Sequence, residues 1–157
     1  MGISIEPMTV ADLAGVLADH ASFWGDRDLR FLHLTALVQE FGDTCLTARP
    51  GPGGPVDGYL IGFTTPRRVG YIHAVAVRDT ARGGGTGREL YQAFSRVAQQ
   101  QGAVSLKAVT NLVNTGSVAF HQRLGFAARR AEDYDGAGKP MMVMTRALLD
   151  GDGNPGS

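Results

Sequence analysis

Arg82-Gly83-Gly84-Gly85-Thr86-Gly87-Arg88 is the stretch of this chain whose residue types and spacing most plainly suit chemistry. It follows Tyr71 to Val77, a run rich in aromatic and β-branched residues that reads as a strand. It precedes Leu90, Phe94, Val97 and Ala98, which fall on one face of a helix. A strand, a glycine turn and a helix start together expose backbone N–H groups without intrahelical partners, at the positive end of a helix dipole. Glycines at 83, 84, 85 and 87 place no Cβ between those amides and an anion. The stretch is a phosphate cradle or, on the plainer reading, a connection between strand and helix, and its neighbours narrow the choice. A P-loop needs Lys-Ser or Lys-Thr after its last glycine, where Arg88-Glu89 stands. A dinucleotide fingerprint needs a third glycine where Leu90 stands.

What fits is a valine ending a strand, an arginine five residues on, and Gly-x-Gly beyond it: Val77, Arg82, Gly85 and Gly87. This resembles motif A of the GNAT superfamily of acetyltransferases. Asn114, Ser117, Phe120, His121 and the run Arg123-Leu124-Gly125-Phe126 resemble that superfamily's second signature, an Asn-capped helix ending in Gly-Phe. The likeness covers about residues 3 to 148. It implies the GNAT fold, a mixed α/β (α+β) domain. Its central, mostly antiparallel twisted sheet has about six or seven strands with a splayed pair at the centre, flanked by about four helices.

The resemblance also implies roles. Backbone groups of Ala76 and Val77 face the pantetheine arm of coenzyme A. The N–H groups from Gly83 through Gly84, Gly85, Thr86 and Gly87 to Arg88 hold its pyrophosphate, with the Thr86 hydroxyl and the Arg88 charge as further contacts. Arg82 contributes its backbone N–H. Asn114 binds the cofactor through its amide, caps its helix, or does both; Ser117 belongs to the same cofactor site, and Phe120 packs beside the cofactor or in the core. The implied activity is acetyl transfer from acetyl-CoA to a primary amine by direct attack in a ternary complex.

An amine at neutral pH must lose a proton to attack, and the thiolate leaving group benefits from an acid. His73, four residues before Val77, is the expected base, on one strand face with Tyr71 and Val75 by period-2 alternation. The string from Tyr71 to Val77 is similar to the corresponding strand of arylalkylamine N-acetyltransferases, where a histidine is implicated as base; the alternative is a hydrogen-bonded, half-buried strand histidine. His121 stands where the superfamily usually carries a tyrosine that protonates the thiolate. A neutral imidazole donating its N–H is the expected substitute, with protonation by solvent or operation at lower pH as the alternatives. Trp24, Arg27, Tyr71 and Tyr134 are expected to shape the acceptor pocket. The acceptor is a small molecule, an amino acid or an antibiotic-like amine; alternatives are a protein N-terminus or lysine, and a non-catalytic acyl-CoA sensor.

The elements that must position these groups follow from periodicity. Ile3 and Ile5 suggest a first strand, and Thr9 with Asp12 a capped helix running to about His20. Leu29, Leu32, Ala36, Leu37 and Phe41 recur at helical spacing and predict a second helix ending near Gly42. Thr44 to Ala48 and Gly58 to Thr64 read as strands around a turn-rich loop. A helix from Arg88 to Gln101 ends at Gly102, a strand spans Val104 to Thr110, and a helix capped at Asn114 or Thr115 ends at Gly125. Phe126 to Ala131 and Met141 to Thr145 close the domain as a hairpin, leaving a polar, glycine-rich tail over 149–157 that is expected to be disordered.

Composition bounds the partners. The 157 residues are 43% apolar, enough for one core, and fifteen basic side chains balance fifteen acidic ones. No charge excess favours nucleic acid or an anionic membrane. The histidines at 20, 33, 73 and 121 lack ligand spacing and Cys45 stands alone, so no metal is expected. A lone cysteine and a start without a signal pattern predict a cytoplasmic protein. Homodimerisation is expected by analogy with the family.

Overall fold

The computed structural model describes residues 2–148; the tail expected at 149–157 lies outside the described residues. In chain order the elements are β1 (Ser4–Pro7), α1 (Val10–Ala18), α2 (His20–Trp24), α3 (Thr35–Glu40), β2 (Cys45–Arg49), β3 (Gly58–Thr64), β4 (Val69–Val77), α4 (Thr86–Gln100), β5 (Ser105–Thr110), α5 (Thr115–Arg123), β6 (Ala127–Ala131) and β7 (Met141–Ala147). The Thr9 and Asp12 signal is a true capping box: the Thr9 hydroxyl accepts from the Asp12 N–H and the Asp12 carboxylate accepts from the Thr9 N–H, both at 3.0 Å. The second predicted helix is broken. Arg30–Leu32 is a single 3₁₀ turn, and α3 starts only at Thr35. Spacing of three to four residues does not distinguish a tight turn followed by a short helix from one continuous helix.

The strands form one seven-stranded sheet in the order β1-β2-β3-β4-β5-β7-β6. Every pairing is antiparallel except β4 with β5. These two parallel strands pair only from Val69 against Ser105 to Ile72 against Ala108. Beyond that point β4 continues on β3 alone and β5 on β7 alone, so a wedge opens at the centre of the sheet. This is the splayed pair that the family resemblance implies.

Two cores flank the sheet. On one face α4 buries Leu90, Tyr91, Phe94 and Ala98 against Leu60, Ile72 and Leu106. Each large apolar side chain so buried contributes roughly 1.5–3 kcal/mol. On the other face Leu13, Val16, Phe23 and Val38 cover Tyr59, Ile61, Ala74 and Ala76. The facing of β4 is not a simple alternation. Ile61 pairs with Ala74 but the next residue, Gly62, pairs with Ile72, so His73 is the extra residue of a β-bulge. Ile72 belongs to the α4 core and Ala74 to the opposite one, while Val75 packs on the α4 side. His73 therefore does not share a face with Val75, contrary to the strict period-2 expectation: the bulge turns the strand over at the histidine. Among the described residues no helix is long and apolar enough to cross a membrane.

Candidate active site

The glycine segment adopts backbone conformations that side chains resist. Gly83 has φ +86° and Gly85, the residue preceding α4, has φ +84°. The Glu89 N–H is the first to reach back, to the Gly85 carbonyl at 3.0 Å. The N–H groups of Gly83 to Arg88 have no acceptor among the described residues, and all of these residues but Gly84 line a cleft of about 860 Å³. Gly87 is glycine for a packing reason: a Cβ there would stand 2.9 Å from Phe120 Cζ. The aromatic ring and the helix start thus press together into one wall.

That cleft is lined by the sequence-predicted residues Ala76, Val77, Arg82, Gly83, Gly85, Thr86, Gly87, Arg88, Asn114, Ser117 and Phe120; Gly84 does not line it. Four arginines border it, Arg27, Arg82, Arg88 and Arg123, and among the described residues no acid does. Arg88 and Arg123 have no carboxylate partner among the described residues, whereas the Arg82 guanidinium donates to the Phe23 carbonyl at 3.0 Å and the Val77 carbonyl at 3.3 Å. Arg82 thereby ties the end of β4 to α2, a side-chain role that sequence reasoning did not foresee. Arg123 was not among the expected contacts; its place three residues after Phe120 on α5 is the sequence signal that it shares the cleft. Orphan amides, small residues and an excess of cation are what a diphosphate-bearing ligand with an extended arm requires.

A smaller cleft, about 360 Å³, opens on the other side of the wedge and holds Tyr71, His73, Tyr134, Asn111, Asp135 and Met141. The two clefts share Trp24, Arg27, Val75, Asn114, Ser117 and His121. Tyr71 and Tyr134 lie side by side; burial above all, with the neighbouring Tyr134 second, pushes the Tyr71 pKa up to about 12. Lys107 stands 5.1 Å over the Tyr134 ring, and Arg27 stands 5.9 Å over that of Trp24. Arg27 has no carboxylate partner among the described residues.

The two histidines differ sharply. His73 Nε2 lies 2.9 Å from the Leu32 carbonyl, an acceptor only, so Nε2 carries the hydrogen and the Nδ1 lone pair has no partner among the described residues. His121 is 3% exposed. Its Nδ1–H donates to the Ser117 carbonyl at 2.7 Å, and its Nε2 accepts from the Tyr91 hydroxyl in a short hydrogen bond. Burial pushes the His121 pKa down and keeps the ring neutral. With both nitrogens engaged inside the protein, no N–H of His121 is available to a thiolate, so the donor geometry expected from sequence is not the one found. Tyr91, from α4, is the partner that sequence reasoning missed. The Ser117 Oγ lies 3.4 Å from His121 Nδ1 as a weak second acceptor, which leaves the hydroxyl hydrogen free. Asn114 is used twice: its Oδ1 accepts from the Ser117 N–H at 3.2 Å, capping α5, and its Nδ2 donates to Thr110 Oγ1 at 3.0 Å.

Residues 18–126 match the model of the Acetyltransferase (GNAT) family. The L-methionine sulfoximine/L-methionine sulfone acetyltransferase of Pseudomonas aeruginosa is 30% identical over 139 residues, 80% of this chain and 81% of that protein. The mycothiol acetyltransferase of Streptomyces avermitilis is 31% identical over 81 residues, 48% of this chain and 26% of that protein. Among solved structures, Ard1 from Thermoplasma volcanium superposes with a TM-score of 0.76 at 18% identity, covering 96% of this chain and 100% of that one. The yncA protein of Salmonella typhimurium, solved with its cofactor acetyl-CoA, gives 0.68 at 22% identity, with 96% of each chain covered.

Proposed function

Because the chain belongs to the GNAT acetyltransferase family, we propose that it transfers the acetyl group of acetyl-CoA to the primary amine of an amino-acid-sized acceptor. The observation that carries this reading is the meeting of two clefts at the splay between β4 and β5. One is cationic and rimmed by orphan amides; the other is small, aromatic and polar. The diphosphate lies on the amides from Gly83 to Arg88, and Arg88 and Arg123 supply charge to it. The pantetheine arm runs along Ala76 and Val77 beside Phe120, and the thioester reaches the residues common to both clefts.

The acceptor amine enters from the smaller cleft. His73 Nδ1, directly or through one water, takes the proton that the nitrogen loses as it attacks the thioester carbonyl. The carbon–nitrogen bond forms and the carbon–sulfur bond breaks. The thiolate then gains its proton from solvent, with the Ser117 hydroxyl as a hydrogen-bond donor on α5. His121 acts here as a structural partner of Tyr91. Arg27, without a carboxylate partner of its own, is the group that receives an acceptor carboxylate. The Pseudomonas relative's methionine-derived amines are of this size and charge.

Thiol release from acetyl-CoA over a panel of amines tests the proposal. Turnover is expected for amines bearing a free carboxylate, methionine sulfone and methionine sulfoximine included, and reduced for their carboxamides. Arg27→Gln is expected to erase that preference. Tight coenzyme binding with no turnover on any amine contradicts the catalytic reading.

A further inference from the structure

Behind the site runs a partly buried hydrogen-bond chain whose ends are a group that can only donate and a group that can only accept. Trp24 Nε1, which can only donate, gives its hydrogen to the Tyr59 oxygen at 2.7 Å. The Tyr59 oxygen, which accepts that hydrogen, keeps its own hydroxyl hydrogen for His33 Nε2 at 2.6 Å. His33 must then carry a hydrogen on Nδ1, which it donates to the Leu29 carbonyl at 2.8 Å. That carbonyl can only accept, so the two ends agree. The N–H of the same Leu29 donates to His20 Nε2 at 3.1 Å. Two buried imidazoles thus grip one residue by both of its peptide groups. Leu29 in turn begins the single turn that ends at Leu32, whose carbonyl sets the tautomer of His73.

His20, His33 and Tyr59 in this chain are buried, Trp24 lines both clefts, and Leu29 lines the smaller one. The chain's two outputs are both at the reaction centre: the orientation of the Trp24 indole and the position of the Leu32 carbonyl on His73. We infer that His33, relayed through Leu29 and Leu32 on one side and through Tyr59 and Trp24 on the other, is a positioning residue for acetyl transfer that holds the lone pair of His73 toward the acceptor amine. The titratable groups facing His33 are His20 from α2, Tyr59 from β3 and His73 from the bulge of β4. A proton placed on His33 Nε2 would reverse its hydrogen bond with Tyr59 and leave the Tyr59 hydroxyl hydrogen without its acceptor.

The inference rests on the reading of His73 as the base, and its test separates the two. Tyr59→Phe removes one buried oxygen and is the gentle variant; His33→Gln is the direct one, and circular dichroism with thermal melts shows whether each folds. For Tyr59→Phe the expected result is a kcat lowered about 10- to 100-fold, as for a misplaced reacting group, with KM for acetyl-CoA little changed and the acid limb of the pH–rate profile displaced. Nitrogen-15 imidazole spectra of His73 are expected to show the Nε2–H tautomer in the parent protein and a mixture in the variant. If folded Tyr59→Phe keeps the parent kcat, pH profile and His73 tautomer, the positioning role is wrong. His73→Gln with full activity would overturn the base reading instead, while the tautomer spectra would still decide whether His33 and Tyr59 orient that ring.

Discussion

The Nε2–H of His73 is held 2.9 Å from the carbonyl of Leu32, a residue 41 positions earlier in the chain, at the one place where β4 carries an unpaired extra residue. The bulge supplies the direction of the side chain and the carbonyl supplies its tautomer. His73→Gln keeps an N–H for Leu32 but has no lone pair of comparable basicity. It is expected to lower kcat/KM by about 10²- to 10⁴-fold with an unchanged melting temperature. Steady-state kinetics beside thermal melts check this, and a variant as active as the parent would remove His73 from the mechanism.

Gly87→Ala leaves the helix backbone acceptable but drives a methyl to within 2.9 Å of Phe120 Cζ. Overpacking of this kind costs about 1–3 kcal/mol, and here it moves the wall of the larger cleft. Affinity for coenzyme A, measured by calorimetry, is expected to fall more than about tenfold. Adding Phe120→Leu should restore part of the stability loss, because the displaced atoms are gone.

His121→Phe leaves the Tyr91 hydroxyl, on a side chain only 1% exposed, without its acceptor. An unsatisfied buried hydroxyl costs about 1–3 kcal/mol. The double variant Tyr91→Phe with His121→Phe should recover most of that. Chemical denaturation of the singles and the double measures the coupling. If turnover and its pH profile survive in the double variant, His121 has a structural role alone.

Acid should destabilise the fold. Burial lowers the pKa of both His33 and His121, with His20 and His73 adding to the effect at His33. In the unfolded chain each titrates near about 6.5. Below that value the unfolded chain binds more protons, so stability complete above about pH 6.5 is lost as pH falls toward the depressed native values. Melting temperatures from pH 7.5 to 5 are expected to decline, and His33→Gln should flatten that decline.

The sequence carries the larger cleft of this site far better than the smaller one. Glycines at 83, 85 and 87 and the apolar face of α4 are local signals, since a strand, a turn and a periodic helix occupy consecutive residues. Asn114 and Phe120 are legible for the same reason. The partnership of His121 with Tyr91 joins two helices 30 residues apart and has no periodic trace. The bulge at His73 shows only in the register against β3, because an inserted residue leaves the composition of the strand unchanged. The run from Leu29 to Phe41 looks like one helix until His33 is seen turning inward to meet Tyr59 and the Leu29 carbonyl.

Amide nitrogen-15 spectra recorded during a titration with coenzyme A test the central claim most directly. Saturable shifts concentrated in Gly83 to Arg88, with smaller ones at Ala76 and Val77, are the expected result. No saturation, or saturation that leaves those amides unmoved while others shift, would contradict the assignment of the glycine loop as the diphosphate cradle.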